Sequence, residues 1–213
     1  MFSYYFDPTY VLVIIAFLLT LFASMGVKST FSKYNDVRSS RGITAASAAR
    51  QILDANGLQN IRIEHVSGDL TDHYSPNENV IRLSDSTYNS TSVAAIGVAA
   101  HECGHAVQHQ AGYVPIKIRN GIVPIVNVCN TLSMPIFIIG LILGLGRLAM
   151  VGAILFGVVL VFQLVTLPTE INASRRAMKT LESMYLLEGD ELTGARKTLT
   201  AAAMTYVAAV AST

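Results

Sequence analysis

The chain has 213 residues, of which 52% are hydrophobic and 14% charged, with a formal net charge of +1. Soluble domains carry roughly 25% charged residues, so membrane segments are expected, and the near-neutral balance excludes the basic footprint of a nucleic-acid binder. Two cysteines in unlike contexts, Cys103 and Cys129, exclude a disulfide framework and a C-x-x-C site.

Residues 10–27 are apolar apart from Thr20, Ser24 and Gly26. As a helix they cover about 27 Å, close to the hydrocarbon core of a bilayer. The stretch before them holds Asp7 and no Lys or Arg, unlike the start of a cleaved signal peptide. Lys28, Lys33, Arg38 and Arg41 follow. Residues 1–27 therefore read as an uncleaved transmembrane helix with its N-terminus outside and its C-terminal end in the cytoplasm.

Residues 28–42 read as a polar juxtamembrane stretch, and residues 44–56 as a helix stopped by Gly57. Alternation through Ile61, Ile63 and His65 predicts a strand, residues 68–79 are turn-rich, and residues 80–83 predict a second short strand. The two strands are expected to form an irregular hairpin or a small sheet. An edge at 61–66 or 80–83 offers backbone pairing to an extended peptide, unless another part of the chain covers it.

The Ala-rich helix of residues 92–110 follows Asn89, Ser90 and Thr91, each able to cap it, and is ended by Gly112 and Pro115. Residues 121–145, with Pro124 and Pro135, and residues 148–167 are apolar runs joined by a very short turn. They predict a transmembrane hairpin over 121–167, whose prolines membranes tolerate. Residues 170–182 then have helical periodicity, and Asp190-Glu191 opens a further helix. Residues 199–213 are apolar and alanine-rich but too short to cross alone, so they either pack on other helices or begin another span.

The expected organisation is an integral membrane, mainly α protein with a small β-hairpin or sheet. A polar unit over 28–120 and polar helices over 168–198 fall on one side. Both hold most of the Lys and Arg, which makes that side cytoplasmic and the chain a multi-pass protein of the cell membrane.

Inside the 92–110 helix stands His101-Glu102-Cys103-Gly104-His105, the H-E-x-x-H pattern. Four residues apart on a helix, His101 and His105 share a face and can meet one Zn²⁺. Glu102 beside that face can hold a water whose pKa zinc lowers, and can take its proton as it attacks a carbonyl. Gly104 permits a close approach of backbone or substrate. Cys103 reads as an inert helix residue.

Catalytic zinc normally has three protein ligands. His109 lies one further turn along, but Gln108 and Ala111 replace the Gly and His of the extended three-histidine motif. His109 is thus expected to support the ligands from behind or to lie at the surface. Glu170, at the base of the predicted hairpin, is the better third ligand. As a helix-initial acid it is equally well explained by the helix dipole, and spacing does not separate the two readings.

The stretches Leu70-Thr71-Asp72-His73-Tyr74, residues 94–109 and Glu170-Ile171-Asn172-Ala173-Ser174-Arg175-Arg176-Ala177 together resemble the bacterial neutral zinc metallopeptidases of the YugP type. These are membrane gluzincins related in layout to the HtpX and CAAX-type proteases. The resemblance implies a gluzincin-like core with His101, His105 and Glu170 as zinc ligands and Glu102 as base. Relatives of that layout usually read E-x-x-x-D, whereas the last position here is Ser174. A serine offers one hydrogen bond but cannot fix a ligating histidine as a carboxylate does. Arg175 or Arg176 can face a developing oxyanion or simply anionic headgroups, and His73 and Tyr74 can approach the cleft from a loop.

The leading expectation is a membrane zinc endopeptidase acting on membrane or membrane-proximal proteins, with a peptide substrate and the bilayer as partners. The alternative is a membrane scaffold or chaperone-like protein with a structural or vestigial metal site. It is disfavoured because nothing structural requires a base beside the two histidines. A transporter fits less well, since Asn127, Asn130 and Gln163 are the polar residues of the hairpin and no buried acid or base marks an ion path.

Overall fold

A computed structural model describes residues 9–212. The first eight residues of the expected 1–27 segment, Asp7 among them, lie outside the described residues, as does Thr213.

Helix α1 (Thr9–Asn35) runs beyond the expected end at residue 27 because Lys28 to Asn35 contain no proline or glycine to stop it. Its apolar half presents Leu12, Phe17 and Phe22 outward, and Thr20 satisfies its hydroxyl on the Ala16 carbonyl. Helix α2 (Ala45–Ala55) is capped by Thr44, whose side chain accepts from the Ser47 amide, and ends before Gly57 in left-handed backbone.

Strands β1 (Arg62–His65), β2 (His73–Ser75) and β3 (Val80–Leu83) form one sheet in the order β1-β3-β2. The two expected strands do pair, but in parallel, with Ile63 opposite Ile81. They are therefore not a hairpin. The hairpin is β2–β3, antiparallel with Tyr74 opposite Ile81, and β2 lies inside the stretch expected to be turn. This corrects the expected edge at 80–83: β3 is paired on both sides, and the edges are β1 and β2.

Helix α3 (Val93–Gln110) carries the H-E-x-x-H motif and is capped by Ser92, one residue later than the candidates Asn89, Ser90 and Thr91. Helix α4 (Val114–Ile142) begins seven residues before the expected 121, with Pro115 in its first turn, where its missing N–H costs nothing. Helix α5 (Gly146–Ser183) passes through Pro168 without interruption, so the expected boundary at 167–168 is not a break. Helix α6 (Gly189–Ser212) returns along α5, α3 and α1. The 199–212 segment thus packs on other helices.

Among the described residues three helices, α1, α4 and α5, are long and apolar enough to cross a membrane, which makes this a multi-pass membrane protein. The water-side core joins α2, the sheet, α3 and the ends of α5 and α6. Ile52, Leu53, Ile81, Leu83, Ile96 and Leu181 in it are all at most 2% exposed.

Candidate metal centre

Two helices build the site. α3 presents His101, Glu102 and His105 on one side, and α5 presents Glu170 against them. Gly104 sets their spacing: a Cβ there would lie 2.6 Å from the Ala173 carbonyl oxygen of α5. The close approach open at this position on sequence grounds is thus made by backbone.

Three lone-pair groups converge on one point. His101 Nε2 lies 3.1 Å and His105 Nε2 3.4 Å from the same Glu170 oxygen, Oε2. All three ligand atoms fall within 4.8 Å of one another. Acceptor atoms crowd in this way only around a proton or a cation.

The outer ring nitrogens decide which. Arg176 Nε, always a donor, gives its proton to Asn172 Oδ1 at 2.8 Å. Gln108 Nε2 donates to that same oxygen at 3.0 Å and to the Thr169 carbonyl at 2.8 Å. The Gln108 Oε1 is therefore the acceptor facing His105 Nδ1 at 3.0 Å. When its ring is neutral, His105 therefore keeps its proton on Nδ1, which leaves Nε2 free for a metal on the Glu170 side. On the other histidine, Ser174 Oγ lies 3.1 Å from His101 Nδ1. Two imidazoles held from behind by Ser174 and Gln108, with the Glu170 carboxylate, fit Zn²⁺ as a His₂Glu set.

Burial opposes a charged His105, but the Glu170 hydrogen bond and the Glu102 charge outweigh it and hold its pKa above the ordinary histidine range. Without a metal this cluster gathers a proton, which a cation would replace.

Glu102 is 8% exposed, yet among the described residues nothing hydrogen-bonds to its carboxylate. It opens instead onto a cleft with two unlike halves, both bounded by His101, Glu102, Glu170 and Tyr206. One half, of about 220 Å³, is walled by Val27 and Phe31 of α1, Val98 of α3, and Leu199, Ala202 and Ala203 of α6. The other, of about 160 Å³, is polar and takes in His73, Tyr74, Arg119 and Asn120.

Of the remaining expected residues, His73 and Tyr74 lie on the β2 edge beside the polar half. His109 is exposed, with its ring centroid 6.1 Å from that of Tyr74 in an edge-on contact. Arg176 holds Asn172, and Arg175 is exposed and lines neither half of the cleft. Cys103 is fully buried, its thiol pKa pushed up by burial and its sulfur 3.6 Å from the Ala49 carbonyl oxygen.

Three further residues belong to the site. Gln108 orients His105. Arg119 Nη2 lies 3.8 Å from Glu170 Oε1, and its buried Nε has no acceptor among the described residues. Tyr206 faces Glu170 from α6. Tyr206 stands out in the sequence as an aromatic in an alanine-rich tail; Arg119 carries no comparable signal.

The family model described as "Putative neutral zinc metallopeptidase" matches residues 9–213. The chain is 46% identical over 198 residues to a protein of Bacillus subtilis (strain 168) named "Putative membrane protease YugP", covering 93% of this chain and 88% of that one. No solved structure matches.

Proposed function

We propose, from the premise that the chain belongs to the neutral zinc metallopeptidase family, that it cuts membrane or membrane-proximal proteins at the cytoplasmic surface. It is a zinc-dependent endopeptidase of the membrane. In our reading His101, His105 and Glu170 hold the metal and Glu102 is the general base. The observation that carries the reading is the pairing of three convergent ligand groups with an adjacent carboxylate that has no hydrogen-bond partner among the described residues.

Zinc, when bound, supplies a Lewis acid that polarises a carbonyl and makes water acidic enough to attack near neutral pH. Glu102 takes the proton of the attacking water and returns it to the leaving amine. The Tyr206 hydroxyl and the Arg119 guanidinium are donors that border the cleft, and both can stabilise developing negative charge. In the polar half the β2 edge can align an extended substrate strand, while the apolar half suits one hydrophobic side chain.

The peptidase body comprises residues 28–120 and 168–198, with 1–27 and 121–167 as membrane segments and 199–213 as the C-terminal tail. Two observations support placing this body in the cytoplasm. Its parts pack together, and three crossings leave them on the side opposite the N-terminus, where the basic residues concentrate.

The test uses full-length protein in detergent. Glu102→Gln is expected to keep about one zinc per chain and to lose roughly 10²- to 10⁴-fold in peptide cleavage, whereas Glu170→Ala loses the zinc itself. Undiminished cleavage by Glu102→Gln would sink the assignment.

A further inference from the structure

Behind the wall of the cleft, α5 and α6 frame a second concavity, an open groove of about 500 Å³. Its floor is apolar, formed by Ile171 and Met178 of α5 with Leu199 and Ala203 of α6. Its rim is basic. Arg175 and Lys179 stand one turn apart on α5 and Arg196 faces them from α6, against the single acid Glu182.

All three residues are exposed, and none of their charged side chains has a hydrogen bond or ion pair among the described residues. Elsewhere on the same body, exposed or half-exposed arginines are matched: Arg50 with Asp54, Arg62 with Glu64, Arg82 with Glu78. Three unmatched cations thus converge on one groove.

Its height relative to the bilayer is set by α5. The apolar run ends at residue 167 and Ile171 lies four residues on, about 6 Å of helix rise. That is the depth of the headgroup layer, which adds roughly 5–8 Å per leaflet to the hydrocarbon core. Arg175 and Lys179 are attached further out. Helical side chains tilt toward the N-terminus, which on α5 is the membrane side, and their long stems reach back.

We propose that this groove binds an anionic phospholipid. Arg175, Lys179 and Arg196 take the phosphodiester, and the apolar floor takes the glycerol and the upper acyl chain. The groove shares Ser174, Leu199 and Ala203 with the apolar half of the cleft, and Ser174 is the residue that contacts His101. A lipid seated there clamps α5 to α6 across the wall that supports a metal ligand. Binding is independent of the peptidase reading; the effect on cleavage rests on it.

The full chain is placed in phosphatidylcholine vesicles with and without phosphatidylglycerol, and lipid retained after extraction is read by native mass spectrometry. The parent is expected to retain phosphatidylglycerol selectively and to cleave a reporter peptide several-fold faster in the anionic vesicles. Each of Arg175→Gln, Lys179→Gln and Arg196→Gln should lower retention by roughly fivefold, the worth of one cation near an anionic surface. Lys197→Gln, exposed on α6 outside the groove, should leave it unchanged and controls for folding. Equal retention of the two lipids by the parent overturns the proposal. So does a triple variant that retains phosphatidylglycerol like the parent while losing cleavage of an acidic peptide in both vesicles, which would make the groove a substrate site. Selective retention without cleavage in any vesicle leaves the lipid site standing and breaks the peptidase reading instead.

Discussion

The two halves of helix α5 bury opposite kinds of surface. In residues 146–165 many large side chains, among them Met150, Ile154 and Leu164, point outward, and α4 is met by Ala149 and Gly152 together with Phe156 and Val159. A Cβ on Gly140 would lie 2.3 Å from the Ala149 amide nitrogen, and one on Gly152 would lie 2.6 Å from that of Phe137. In residues 169–183 the pattern is the ordinary one of a water-side core, with Ala173, Ala177 and Leu181 fully enclosed. In lipid there is no hydrophobic drive between helices, so close packing of small residues holds the pair; on the aqueous side, burial of large apolar groups does. The change of regime falls at Thr166, Thr169 and Glu170, all at most 3% exposed. The candidate metal cluster thus lies where one packing logic gives way to the other.

The contrast can be broken at its tightest point. Gly140→Leu should drive α4 and α5 apart and abolish a monodisperse peak on size exclusion in detergent. Gly157→Leu, where a Cβ meets nothing within 4 Å, should elute like the parent. Equal behaviour of the two would remove the small-residue account of the hairpin.

A second pair separates the two regimes by stability. Leu181→Ala should cost about 2–5 kcal/mol, while Ile154→Ala on the outward face should stay within about 0.5 kcal/mol. Thermal unfolding in detergent reads both, and a large loss from Ile154→Ala would place that face in an interface.

At the junction itself, Gln108→Leu removes the acceptor that fixes the His105 tautomer. Zinc affinity is expected to fall roughly 10- to 100-fold, read by competition with a chromophoric chelator, with the helical circular-dichroism signal retained. Unchanged affinity would show that the Arg176–Asn172–Gln108 chain does not orient the ligand.

The smallest effect is a pH slope. In metal-free protein the raised pKa of His105 contributes stability that is fully present below the unfolded value of 6.5 and is lost as pH rises through the folded value. Metal needs the deprotonated ring. The gain in melting temperature on adding zinc should therefore grow from about pH 6 to pH 8, and a gain that is flat or shrinks would contradict the ligand role of His105.

Much of this was legible in the sequence because its signals are local. H-E-x-x-H has its spacing from the helix, and the apolar runs have theirs from bilayer thickness. Glu170 was a candidate from its place at the base of a hairpin, although spacing left it level with a helix-dipole reading. What was not legible depends on partners distant in sequence. β2 is three residues of His-Tyr-Ser with no alternation to detect, and only pairing with β3 makes it a strand. The continuity of α5 through Pro168 rests on neighbours that steady the helix where proline removes a hydrogen bond. Gln108 reads as a polar helix residue until Thr169 and Asn172 arrive opposite it.

That continuity has a further consequence. Glu170 stands three positions beyond the end of the apolar run at residue 167, on one unbroken helix, roughly 4.5 Å of rise. The helix acts as a depth gauge. It fixes how far Glu170 stands from the hydrocarbon boundary, so under the proposed function a polypeptide would be selected first by the altitude at which its chain leaves the bilayer and only then by the side chains it offers.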